Sequence, residues 1–109
     1  MDMVNTKEAI EELIKNNEMA LVYFGSKSCS VCNVMKPKVK ELLKQYPKIK
    51  SVQVDVEESI EASAAYSAFT MPVILVFIEG KEIIREARHI SMQDIDGKIE
   101  RNYNMIFGQ

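Results

Sequence analysis

Leu21-Val22-Tyr23-Phe24-Gly25-Ser26-Lys27-Ser28-Cys29-Ser30-Val31-Cys32 is the stretch that decides the fold. Met19 to Phe24 is apolar without alternation, as a strand covered on both faces is. Gly25 to Ser28 breaks that run with small and polar residues and reads as a loop. A helix follows from Cys29 or Ser30, with Val31, Val34, Met35, Val39, Leu42 and Leu43 as its apolar positions. Pro37 lies inside this pattern and kinks the helix rather than ending it, because the periodicity resumes beyond it. Tyr46-Pro47 closes the segment.

Outward from this unit, Met1–Val4 reads as a short edge strand. Asn5 or Thr6 opens a helix, with Glu8 three residues after Asn5 as in a capping box. Ala9, Ile10, Leu13 and Ile14 share one face of it, and Asn16-Asn17 ends it. On the other side, Ile49 to Val56 alternates Val52, Val54 and Val56 against Ser51, Gln53 and Asp55, the pattern of a half-buried strand. Glu57 to Ser67 reads as a helix with Glu57, Glu58 and Glu61 near its positive end. After Met71-Pro72, Val73–Ile78 is a second buried strand, and Glu79-Gly80 turns it into a partly charged strand from Lys81 to Ala87. Ser91 caps a last helix, with Ile95, Ile99, Tyr103 and Ile106 on one face and a costly Gly97 inside. This order gives an α/β fold: a mixed sheet of four or five strands with helices on both faces.

With 109 residues, the chain is long enough for one domain, here taken as 1–109, with no repeats or linkers to divide it. Its hydrophobic content of 47% and charged content of 28% are those of a compact globular chain. A net charge of -2 argues against a polyanion partner. The basic run Lys36, Lys38 and Lys40 has no interleaved aromatics and reads as a solvated helix face, so no nucleic acid is expected. The longest apolar runs are six residues, against about 20 for a membrane span. The N-terminal residues carry Asp2, Lys7, Glu8, Glu11 and Glu12, unlike a signal peptide. The expectation is a cytoplasmic monomer.

In a reducing compartment a purely structural disulfide is disfavoured, which leaves catalysis or metal binding for Cys29 and Cys32. A tetrahedral zinc site needs four ligands, and only His89 could join the pair, so no metal and no cofactor are expected. Two buried structural cysteines are the plainer alternative. At a helix N-terminus, free N–H groups and the macrodipole favour a thiolate. Lowering a thiol from about 8.5 to about 7 raises the thiolate fraction about 16-fold at neutral pH, while nucleophilicity falls about 6-fold. The net gain for the attacking sulfur is only about 3-fold. The rest comes from better leaving-group behaviour and from Cys32 one turn later, which makes the second step intramolecular. Lys27 is either an electrostatic aid to the thiolate or an ordinary solvated loop lysine.

With Cys29-Ser30-Val31-Cys32 after a buried strand, Pro37 within the helix, Val54-Asp55-Val56, and Thr70-Met71-Pro72 before Val73, the chain resembles the thioredoxin family. Gly80 matches the family's hairpin glycine. The resemblance implies dithiol–disulfide exchange, with Cys29 attacking and Cys32 resolving. It also implies a cis bond between Met71 and Pro72 facing the cysteines, with the Met71 backbone pairing with an incoming peptide. Implied partners are a disulfide-containing protein and a reductase or low-molecular-weight thiol as electron donor. A redox-quiet or redox-sensing binding module on the same fold is the alternative.

The departures are specific. The family's Trp-Cys-Gly-Pro-Cys is replaced by Ser28-Cys29-Ser30-Val31-Cys32, and the chain has no Trp. The family's buried Asp falls at Tyr23, a poor base at neutral pH. Its partner Lys falls at about Ser51. The Gly expected before the last helix is Arg88, next to His89, which reads either as a proton shuttle or as a solvated loop histidine. The methionines other than Met71 read as core filler.

Overall fold

The computed structural model describes residues 1–108, and its sheet is built around the Met19 run. Met19–Gly25 forms strand β2, and every residue in it is buried. It pairs in parallel with β3 (Lys50–Asp55) on one side and antiparallel with β4 (Val73–Ile78) on the other. Outside these lie β1 (Asp2–Met3), parallel to β3, and β5 (Lys81–Ala87), antiparallel to β4. The sheet order is β1-β3-β2-β4-β5.

Alternating side chains of β2 reach opposite faces. Met19, Leu21 and Tyr23 pack with Met35 and Val39 of helix α2 (Ser30–Leu43) and with Ile95 and Ile99 of α4 (Met92–Phe107). Val22 and Phe24 pack with Ile10 and Ile14 of α1 (Lys7–Asn16) and with Ala62 of α3 (Ile60–Ala65). Each such buried aliphatic or Phe side chain contributes about 1.5–3 kcal/mol. The absence of alternation in the sequence of β2 is thus the direct result of helices on both faces.

Several local expectations are corrected. The cap of α1 is Thr6, whose Oγ1 accepts the Ala9 N–H at 3.0 Å, rather than an Asn5–Glu8 capping box; Thr6 has the extended backbone that a cap requires. Strand β3 keeps its alternation, with Val52 and Val54 buried and Lys50 exposed, except at its end, where Asp55 is buried. Its Oδ1 accepts the N–H groups of Glu57 and Glu58. Those bonds hold Glu57 and Glu58 in a turn, which delays α3 to Ile60 and leaves only Glu61 in its first turn. At the other end, Ser67 adopts φ 56° beyond the close of α3. Met3 and Met105 are exposed rather than core filler: Met3 lies on edge strand β1, and Met105 lies on the solvent face of α4, whose Tyr103 and Phe107 pack against the core.

Helix α2 continues through Pro37. The hairpin joining β4 to β5 has positive φ at both Glu79 (49°) and Gly80 (85°), the twist that a two-residue hairpin turn requires. Ser91 caps α4 by accepting the Asp94 N–H.

Candidate active site

The sheet register brings four strand ends to one edge. Gly25 at the end of β2 stands opposite Asp55 at the end of β3, and Phe24 stands opposite Val73 at the start of β4. Val73 in turn faces Ala87 at the end of β5. The cysteine loop, the Met71-Pro72 segment and the Arg88–Ile90 loop all leave the sheet here.

The loop is a set of small hydrogen-bonded steps. Ser26 is buried; its Oγ accepts the Ser28 N–H at 3.2 Å and bonds Ser28 Oγ at 2.9 Å. Ser28 Oγ faces the Glu57 carboxylate at 3.0 Å, and the Cys29 N–H donates to the Ser26 carbonyl. This turn delivers Cys29 in extended conformation as the N-cap of α2. Cys29 Sγ accepts the Cys32 N–H at 3.1 Å, so the sulfur occupies the anion-favouring end of the helix.

Cys29 and Cys32 are joined as a disulfide, with Cα atoms 5.2 Å apart. Their surroundings differ: Cys29 is partly exposed, whereas Cys32 is only 2% exposed. Gly25 makes room for Cys32, since a Cβ on it would lie 3.1 Å from Cys32 Cβ and 3.3 Å from its Sγ. Tyr23 Oη donates to the Cys32 carbonyl at 2.8 Å. Burial pushes the Tyr23 hydroxyl up to about 12, which keeps it a donor and removes it as a base. Lys27 lies 3.9 Å from Glu58, both side chains well exposed, and the ordinary solvated reading describes it.

Pro72 is buried and Met71 partly so, with a cis bond between them. The Pro72 carbonyl accepts the Arg88 N–H at 2.9 Å, which ties the Arg88–His89 loop to this segment. Arg88 holds φ 64°, where a glycine would carry no Cβ penalty. Arg88 and His89 are exposed.

The α2 pattern needs a correction that bears on the site. Val31 and Val34 are 54% and 61% exposed and are not core residues. Cys32, Met35, Val39 and Leu42 form the buried stripe, and the two valines fall on its flank. With Ser30, Met35, Ile90 and Met92 they line a groove of about 440 Å³ beside the cysteines. The sequence carried no signal separating these valines from core valines. The Gly25 contact was also missed, although a glycine placed between a buried strand and the cysteines was a usable clue.

Among the described residues, no group of three or more His, Cys, Asp or Glu side chains is placed to hold a metal ion. No helix is long and apolar enough to cross a membrane.

The family model described as Thioredoxin matches residues 2–101. The thioredoxin-like protein YdfQ of Bacillus subtilis is 33% identical over 101 residues, spanning 93% of this chain and 90% of that protein. The X-ray structure of Fasciola hepatica thioredoxin superposes with a TM-score of 0.84 at 31% identity, covering 93% of this chain and 98% of that one. Mitochondrial thioredoxin 3 of Saccharomyces cerevisiae, at 22% identity, shares the fold with a TM-score of 0.83. Strand, cysteine helix, proline segment and these likenesses agree: the chain belongs to the thioredoxin family.

Proposed function

We propose that the protein is a thiol–disulfide oxidoreductase that reduces protein disulfides, with Cys29 attacking and Cys32 resolving. The observation that carries this reading is the asymmetry of the pair. Cys29 is partly exposed and its sulfur accepts a helix N-terminal N–H, while Cys32 is buried directly behind it. The Cys29 thiolate attacks a substrate disulfide and forms a mixed disulfide. Cys32 then attacks Cys29, the substrate sulfur leaves as a thiolate, and the internal disulfide closes. A reductase or low-molecular-weight thiol restores the dithiol.

The Met71 backbone, ahead of buried Pro72, pairs with the substrate peptide in the manner of an added strand. The groove lined by Val31, Val34 and Ile90 offers apolar contact in a chain that lacks the family's Trp. A cycle that begins from the dithiol suits a reducing cytosol, and we assign the protein there as a monomer.

Trapping with Cys32→Ser tests the roles. Cys29 is expected to remain linked to substrate as an isolable mixed disulfide. Equal trapping by Cys29→Ser would reverse the assignment. Absence of any turnover of a model protein disulfide, with dithiothreitol as donor, would favour a binding module instead.

A further inference from the structure

The resolving step leaves one requirement unmet by the residues described so far. Cys32 is almost fully buried, yet it must lose a proton before it can attack. The position where the family places a buried Asp holds Tyr23, whose hydroxyl is committed to the Cys32 carbonyl.

A cleft of about 60 Å³ opens on Cys32 from the side away from the substrate groove. Tyr23, Gly25, Lys36, Gln53 and Asp55 line it with Cys32. The volume is enough for a few water molecules, and the lining offers them polar partners.

Lys36 follows Cys32 by one helical turn, so the two project from the same face of α2. Its Nζ donates to Gln53 Oε1 at 3.1 Å, and the Gln53 amide donates in turn to the Met1 carbonyl at 2.9 Å. The lysine is thus steadied by a strand residue that is itself anchored. Its acceptor is a neutral amide, so this contact leaves the positive charge uncompensated. The other charged and titratable groups on the cleft are Lys27, Asp55 and Tyr23. Lys27 lies near Glu58, Asp55 accepts two backbone N–H groups through Oδ1, and Tyr23 stays protonated.

We propose that Lys36 is a positioning residue for the resolving thiol, its ammonium group favouring the Cys32 thiolate across this cleft. The inference rests on the reading of Cys32 as the resolving cysteine. The Cys32 thiol passes its proton to water in the cleft, and its sulfur attacks Cys29 in the mixed disulfide. The Cys29–Cys32 bond forms as the Cys29–substrate bond breaks. The electron pair leaves with the substrate sulfur, which takes a proton from solvent. The cysteine pair is oxidised by two electrons and the substrate disulfide is reduced by two.

The test compares Lys36, Lys36→Met and Lys36→Arg. In reduced Cys29→Ser protein, the alkylation rate of Cys32 against pH gives its titration midpoint. Lys36→Met is expected to raise that midpoint by about one unit, and Lys36→Arg to hold it within a few tenths. With both cysteines present, Cys29 is loaded with thionitrobenzoate, and Cys32 releases the coloured thiol on closing the disulfide. Release below the midpoint is expected to slow about threefold in Lys36→Met, a tenfold loss of thiolate offset in part by greater nucleophilicity, and to recover in Lys36→Arg, with loading of Cys29 unchanged. An unmoved Cys32 midpoint with normal loading overturns the role of Lys36. Failure of Cys29 to load overturns the underlying assignment of the two cysteines, and the proposal with it.

Discussion

At the scale of single residues, Tyr23 shows how a family position can change chemistry while keeping its place. Its ring fills the α2–α4 face of the core, and its hydroxyl ties the first turn of α2 to the sheet. An unfolded tyrosine ionises near pH 10, whereas burial holds Tyr23 neutral to about 12. The stability that depends on neutral Tyr23 is therefore intact below pH 10 and is lost as pH rises from 10 toward 12. Burial raises Tyr46 and Tyr66 as well, so they act in the same direction. Tyr23→Phe is expected to cost about 1 kcal/mol at pH 7 through the lost hydrogen bond. It should also flatten the fall of stability between pH 10 and 11. Urea midpoints at the two ends of that range check both effects, and an unchanged alkaline slope would move the titration to Tyr46 or Tyr66.

Among the elements, β2 and β4 were legible in the sequence because burial on both faces leaves an unbroken apolar run. Helix α4 was legible from Ser91 and from the spacing of Ile95 and Ile99. Strand β3 was legible from its alternation: Val52 and Val54 are buried, while Lys50 is exposed and Ser51 and Gln53 are partly so. Asp55 departs from that alternation: it is buried beside Val54 and accepts the N–H groups of the following turn. Val31 and Val34 escaped for a different reason. Apolar periodicity marks a face as one that avoids water, and cannot say whether protein core or a passing partner covers it. The link between Lys36 and Gln53 spans 17 residues of chain and appears only once β3 lies beside α2. In α4, Gly97 lies within a continuous helix without a steric need for glycine, since an added Cβ would meet only Arg101 Nη1 at 3.6 Å. Gly97→Ala is expected to stabilise the protein by about 1 kcal/mol. Thermal melts of both variants check this, and a lower Tm would reveal a packing role that the contacts do not show.

For the whole molecule, stability is graded across the sheet. The central pair β2 and β4 is buried nearly throughout, while β1 has two exposed residues at one edge. Amide exchange is expected to be slowest at Leu21 to Phe24 and Ile74 to Val76, and fastest among the strands at Asp2 and Met3. Equal protection of β1 and β2 would show that the edge opens only with the whole fold. The antiparallel return of β4 also gives the molecule two unlike ends. One end gathers the loop after Gly25, the Met71-Pro72 segment and the Arg88 loop, whereas the other holds the exposed Glu79-Gly80 turn. That second end is a natural point of attachment: a fluorophore or a surface tether fixed there would hold the molecule with its sulfurs facing outward, free to meet large substrates.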